Sequence, residues 1–277
     1  MRRVIFTALL VMCAGSQTAS ADGYDSFATG VSAYERQNDA EAITAFTSAL
    51  ASPDLAPGLK VTAYVDRARS YLHQHQCSLA LADMNAAKAL KPGDVEITLS
   101  LAAAQSCGGD YRAAEASLTV AMAADSNPIL FYARGRARWA FGDFTGAAAD
   151  FAAIATASPR DVYPAVWLAV AQSRAGNLDT LELKRHASDL DLDKWPGPII
   201  ELYLGQATPD QIAAAAASGD PKAVINQQCE ANFYIGEWKI AHNDLSGAKP
   251  LIQSAMDKCP DNFVEHEMAK AEMARLK

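Results

Sequence analysis

Two stretches of this 277-residue chain bring together side chains that could hold a metal ion or pass a proton. His73-Gln74-His75-Gln76-Cys77 packs two imidazoles and a thiol into five residues, a density that would suit zinc if Cys107 lay alongside. His266-Glu267 opens like the H-E-x-x-H zinc-peptidase motif, whose two histidines must sit four residues apart to share a helix face. Lys270 occupies the second position, so that motif fails. The His73 to Cys77 cluster falls where a turn between helices is expected, and an oxidising compartment favours disulfides over thiolate ligands. His186 and His242 stand singly near expected helix ends. No Ser, Cys or Asp lies in a nucleophile elbow, and the glycines are dispersed, not grouped as a phosphate cradle. We therefore assign no catalytic residue, metal or cofactor and expect a protein that is not an enzyme.

What such residues would be mounted on follows from composition. Half of the chain is hydrophobic, Ala dominates many stretches, and strand-favouring residues are scattered, a balance that favours close-packed helices. The first residues have the order of a secretory signal: Arg2 and Arg3, an apolar run from Val4 to Cys13, and Ala19-Ser20-Ala21 as a cleavage pattern. That run is too short to span a bilayer, and no later stretch reaches transmembrane length. Bulky Met12 before Cys13 argues against a lipid anchor. The expectation is a cleaved, soluble, periplasmic protein. Removing residues 1-21 leaves 22 basic against 32 acidic residues, a net charge of −10. That acidity argues against nucleic acid and against anionic lipid as partners.

The chain repeats itself with a period near 34. Tyr71 to Pro92, Gly108 to Ala124, Gly142 to Pro159 and Asn243 to Pro260 share one skeleton: a turn, a small residue, and a bulky apolar residue four later. This resembles the tetratricopeptide repeat (TPR), in which small residues on two antiparallel helices let them approach closely. In that register the first-helix small residues are Gly30, Ala68, Ala102, Gly135, Ala169 and Gly236, and the second-helix ones Ala42, Ala80, Ala114, Ala147 and Ala248. Bulky partners follow at Phe46, Met84, Leu118, Phe151 and Ile252. The fold expected is all-α: a TPR solenoid of about six helix-turn-helix repeats, with an irregular helical insertion before the last repeat and a C-terminal capping helix. The spans are 22-192 for repeats one to five and 193-277 for the remainder. The fifth repeat weakens in its second helix, where Leu181 stands at the Ala position.

The TPR resemblance implies a concave face lined by first helices. The matching positions are Tyr24, Phe27, Tyr34, Arg69, Tyr132, Arg136, Trp139, Tyr163, Val166, Val170 and Arg174. Tyr, Trp and Arg bury much area and still offer polar contacts, so this lining suits a protein partner. The carboxylate clamp of chaperone-binding TPRs is absent, with Val65 and Arg69 at its Lys and Asn positions. Cys229 at repeat position 1 and Cys259 at position 31 should meet at the open end of the sixth helix pair, and stacking should bring Cys77 near Cys107. Each such bridge would close a loop of about thirty residues, contributing about 3–4 kcal/mol in the chain-entropy picture.

The irregular stretch carries a narrower resemblance. Trp195 to Ile212 (WPGPIIELYLGQATPDQI), Asn232 to Trp238 (NFYIGEW) and Asn262 to Met273 (NFVEHEMAKAEM) are together similar to the C-terminal half of NlpI-type TPR proteins. This implies a cell-envelope adaptor, commonly a homodimer, that brings a periplasmic protease to peptidoglycan hydrolases. The alternative is a structural subunit of a larger envelope assembly.

Overall fold

The computed structural model describes residues 22–125 and 127–277, so the expected signal sequence lies outside the described residues. These form fifteen helices and, among the described residues, no strand, in two compact units that meet in sequence at Pro92 and Gly93. The N-terminal unit holds two antiparallel pairs: α1 (Asp22–Glu35) with α2 (Asp39–Ala51), and α3 (Pro57–His73) with α4 (Cys77–Leu90). In the C-terminal unit, α5 (Val95–Cys107) pairs with α6 (Tyr111–Met122), α7 (Pro128–Phe141) with α8 (Phe144–Ala157), and α9 (Val162–Arg174) with α10 (Thr180–Ala187). Two short helices, α11 (Gly197–Tyr203) and α12 (Pro209–Ala216), precede the sixth pair, α13 (Pro221–Ala241) and α14 (Leu245–Lys258), and α15 (Val264–Arg275) closes the chain.

Each pair is built by one local rule. The residue before the second helix is its N-cap, and four residues later comes the small residue that faces the first helix: Asn38 and Ala42, Asp110 and Ala114, Asp143 and Ala147, Asp244 and Ala248. Those alanines are fully buried, and the capping oxygen accepts from an otherwise orphan backbone N–H of the first turn. Four residues further on, Phe46, Phe151 and Ile252 reach across to a first-helix glycine. A Cβ on Gly30 would stand 2.7 Å from the Phe46 ring, on Gly135 2.9 Å from Phe151, and on Gly236 2.6 Å from Ile252. The glycines are therefore steric requirements of the crossing.

The fifth pair obeys the same rule with a shift. Its N-cap is Asp179, two residues later than the period predicts, so Leu183 takes the inward position and is buried, while Leu181 is 77% exposed. Ala187 then supplies the small partner where other repeats have a bulky one. The insertion is helical, as expected: Thr208 and Gln211 form a capping box on α12, and Gly205 leaves α11 with φ of 71°. The Trp195-Pro196 bond is cis.

Immediately before the second-helix N-cap the backbone turns left-handed, at Gln37 (φ 59°), His75 (φ 55°), Gly109 (φ 79°), Gly142 (φ 91°) and Asn243 (φ 62°). His75 is thus a turn residue, and the neighbouring His73 sets Nδ1 3.0 Å from Asp39 in the preceding pair. The His73 ring is thus engaged by Asp39, and His75 serves the turn through its backbone.

Polar clamps join successive pairs inside each unit. Arg67 on α3 makes a two-pronged bond to Asp83 on α4, at 2.7 and 2.8 Å, and reaches Thr47 on α2 at 2.9 Å. Arg134 on α7 repeats this with Asp150 on α8, at 2.6 and 3.1 Å, and Thr119 on α6 at 3.2 Å. Arg138 adds a third bond to buried Asp150 at 3.1 Å. At the far end Cys229 and Cys259 form the expected disulfide, with an S–S distance of 2.02 Å.

Two stability effects follow. Gln37→Gly removes the strain of a side chain in a left-handed turn and should raise stability by about 1 kcal/mol, read as a higher denaturant midpoint at unchanged slope. Asp150→Ala leaves two guanidiniums facing a vacated partner and should cost roughly 3 kcal/mol in the same titration.

Candidate protein-binding face

First-helix residues predicted to meet a partner fall in both units, and their surroundings differ. In the N-terminal unit Tyr24 is 46% exposed. Phe27 is half-buried, its ring 6.0 Å from Phe46, and Tyr34 stacks on His73 at 6.3 Å. Arg69 lies 3.6 Å from Asp66 and keeps about a third of its side chain in solvent. Burial raises the Tyr34 phenol above its usual value, partly offset by the Arg69 charge.

In the C-terminal unit the same positions are largely covered. Trp139, Val166 and Val170 have no exposed surface. Trp139 stacks edge-on against Trp167 at 5.9 Å and lies 5.6 Å from Phe233, which places it in an aromatic core. Helix α9 is buried without interruption from Pro164 to Gln172, too thoroughly for a helix lining an open groove. The cover is the chain's own: α13 packs against α9, and α15 lies against α7, α13 and α14. In the structure Trp139, Val166 and Val170 present nothing for a partner to touch.

What α13 and α15 bring is a set of carboxylates. Glu230 and Glu237 on α13, and Glu265 and Glu272 on α15, are all buried, and each pair is seven residues apart on one helix face. Glu230 accepts from the Tyr163 hydroxyl at 3.2 Å and the Trp195 indole N–H at 2.6 Å. Glu265 accepts from the Tyr234 hydroxyl at 2.6 Å. Arg174 is bound by Glu237 and, at 3.1 Å, by Glu272, with Phe144 4.5 Å beneath its guanidinium. Arg136 is paired with Glu267 and lies 5.9 Å from the centre of the Tyr132 ring, itself 6.0 Å from Phe151. Arg275 donates to Glu272 at 2.9 Å and to the Trp139 carbonyl at 3.2 Å near the end of α7, where a cation also meets the negative end of the helix dipole.

Carboxylates outnumber guanidiniums here, and their proton affinities respond. Burial, reinforced by the charge of Glu265, pushes Glu230 up to about 7 against the opposing hydrogen bonds of Trp195 and Tyr163. Burial and the neighbouring Glu272 raise Glu237 well above the usual carboxylate range, with Arg174 pulling the other way. Glu265 is raised by burial as well, and burial lifts the Tyr132 phenol to about 12.

These glutamates were missed by sequence reading, although the sequence carries a signal. Glu230 and Glu237 occupy positions 2 and 9 of the sixth repeat, which face the groove, and Glu265 and Glu272 repeat them 35 residues later. The triplet Arg134, Arg136, Arg138 divides as its spacing requires: the outer two share Asp150, and Arg136 alone turns to α15.

Among solved structures, the chain resembles a tetratricopeptide repeat protein from Parabacteroides merdae with a TM-score of 0.62 at 15% identity, over 91% of this chain and 99% of that one. The fold is that of TPR proteins. A thermophilic TPR protein of Thermus thermophilus aligns over 91% of this chain and 99% of its own, at 15% identity and a TM-score of 0.40. No protein-family model matches the chain. Among the described residues no helix is long and apolar enough to cross a membrane.

Because Glu230 holds its proton more tightly when folded than at its ordinary value of 4.5, the folded state binds more protons between about pH 4.5 and 7. Its contribution to stability must fall as pH rises through that window and level off above it. Thermal midpoints from pH 5 to 8 should show the decline, and Glu230→Gln, which keeps an acceptor for Trp195, should flatten it.

Proposed function

We propose that this protein is an exported, non-enzymatic scaffold of the cell envelope, a periplasmic adaptor of the NlpI type that holds a protease and peptidoglycan hydrolases together. The observation that carries the reading is the first-helix face of the N-terminal unit. There Tyr24, Phe27, Tyr34 and Arg69 offer aromatic area and a guanidinium still partly in solvent, the side-chain chemistry of protein hot spots. The Cys229–Cys259 bridge supports export, since such bonds persist in oxidising compartments. The irregular segment Trp195 to Ile212 and the ending from Asn262 support the envelope-adaptor reading through their likeness to NlpI-type proteins. A partner is expected to lay an extended segment or a helix along this face, and the scaffold to act as a homodimer.

Affinity capture from a solubilised envelope, with the chain beginning at Asp22 as bait, should recover a protease and murein hydrolases. The double variant Tyr24→Ala, Arg69→Ala should reduce recovery about tenfold or more, the loss of one to two hot-spot contacts, with unchanged helical content by circular dichroism. Recovery of nothing but the bait would overturn the adaptor reading and favour a structural subunit.

A further inference from the structure

Glu230 on α13 and Glu265 on α15 form a buried acid pair held by neutral donors alone. Glu230 is bonded by the Tyr163 hydroxyl and the Trp195 indole, and Glu265 by the Tyr234 hydroxyl. Among the described residues no lysine or arginine bonds to either, and Arg136 on α7 is committed to Glu267. The remaining titratable groups of the surrounding helices are Tyr132 on α7, Asp161 at the N-cap of α9, and His266 beside Glu265, which lies 3.4 Å from Asp261. Burial raises the phenols of Tyr132, Tyr163 and Tyr234 above their usual value, so all three stay neutral from pH 5 to 9.

The two carboxyls are not equivalent. Glu265 stands in the first turn of α15, where the helix dipole favours a negative charge, and the Arg136 charge acts in the same sense. Glu230 stands inside α13 without that help, and its oxygens meet two partners only. A neutral acid is satisfied by them: Oε1–H donates to the Tyr163 oxygen across 3.2 Å, and Oε2 accepts from Trp195 at 2.6 Å. A carboxylate accepts at about four lone-pair sites and donates nothing, so the same surroundings leave it short of donors and exposed to the charge of Glu265.

Water has one easy way in. Tyr163 and Tyr234 are fixed on α9 and α13, whereas Trp195 belongs to the non-helical connection between α10 and α11, is half-buried, and follows exposed Asp193 and Lys194. We infer that Glu230 works as a proton latch on the insertion: protonated, it holds Trp195 and the connection ahead of α11 against α9 and α13, and on losing its proton to solvent it takes up water and releases them. The latch is closed in acid and opens in mildly alkaline solution. It does not rest on the adaptor reading.

The test uses the mature chain labelled with 5-fluorotryptophan and followed by fluorine NMR from pH 5 to 9, the Trp195 resonance being the one that Trp195→Phe removes. That signal should move in one transition centred near pH 7 and show above it the solvent isotope shift of an exposed indole, while those of fully buried Trp139 and Trp167 stay in place. Glu230→Gln, neutral throughout and still an acceptor for Trp195, should abolish the transition. Glu265→Gln should lower its midpoint by about one pH unit or more, because a like charge is gone. A Trp195 signal that does not respond to pH, or that responds equally in Glu230→Gln, overturns the latch. So does a transition in which the Trp139 and Trp167 signals move with it, since that is cooperative unfolding. Should Glu230→Gln fail to fold by circular dichroism, Glu265→Gln decides alone: a lowered midpoint sustains the latch, and an unmoved or raised one defeats it.

Discussion

Arg174 is held between buried Glu237 and Glu272 with little of its side chain left in solvent, and the arrangement of the C-terminal unit turns on it. A guanidinium taken out of water must recover its hydration through hydrogen bonds, and each carboxylate facing it has the same need. The three groups come from α9, α13 and α15, so their requirements are met together only when these helices meet in one register. Oily side chains of equal volume could bury as much area, but would tolerate sliding by a turn. Phe144 beneath the guanidinium and Arg275 across from Glu272 narrow the geometry further. The cost of this specificity is visible in the raised proton affinities of Glu230 and Glu237, which record how burial and a neighbouring carboxylate disfavour their charged forms.

Within each helix pair the governing constraint is steric. Gly30, Gly135 and Gly236 leave room for Phe46, Phe151 and Ile252, which sets how closely the two helices approach. Separation of helices and registry between pairs are therefore handled by different physics. Arg67 with Asp83 and Thr47, and Arg134 with Asp150 and Thr119, make the second adjustment by reaching one pair back along the chain. Both clamps place Arg one residue before the small first-helix residue and Asp one before the bulky second-helix residue, so a polar code is laid over the apolar one.

Much of this was legible in the sequence because close helix packing depends on residue size at fixed spacing. The small residues, the bulky partners, the capping box at Thr208 and the Cys229–Cys259 pairing all follow from local chemistry combined with the period. The error at Leu181 has a physical origin: the inward position is counted from the N-cap, and a longer turn moved the cap to Asp179, so a rigid count of 34 overshot nothing but fell two residues short. The covering of Trp139, Val166 and Val170 was not legible, since positions on a helix tell which way a side chain faces and say nothing about what comes to lie against it. Nor did single glutamates on α13 and α15 announce burial, because an isolated Glu on a helix is ordinarily solvated.

The insertion explains how α13 comes within reach of Arg174. Helix α10 has only eight residues, too few to present the full second-helix surface on which the next pair would stack. Helices α11 and α12 supply the missing surface: Ile199, Ile200, Leu202 and Ile212 are buried, and the Tyr203 hydroxyl donates to the Tyr234 carbonyl at 3.0 Å, tying the insertion to α13. With α13 seated this way, Trp195 from the start of the insertion reaches Glu230. A shortened repeat and an irregular segment thus act together, and the departure from periodicity is what carries Glu230 and Glu237 into position against Tyr163 and Arg174.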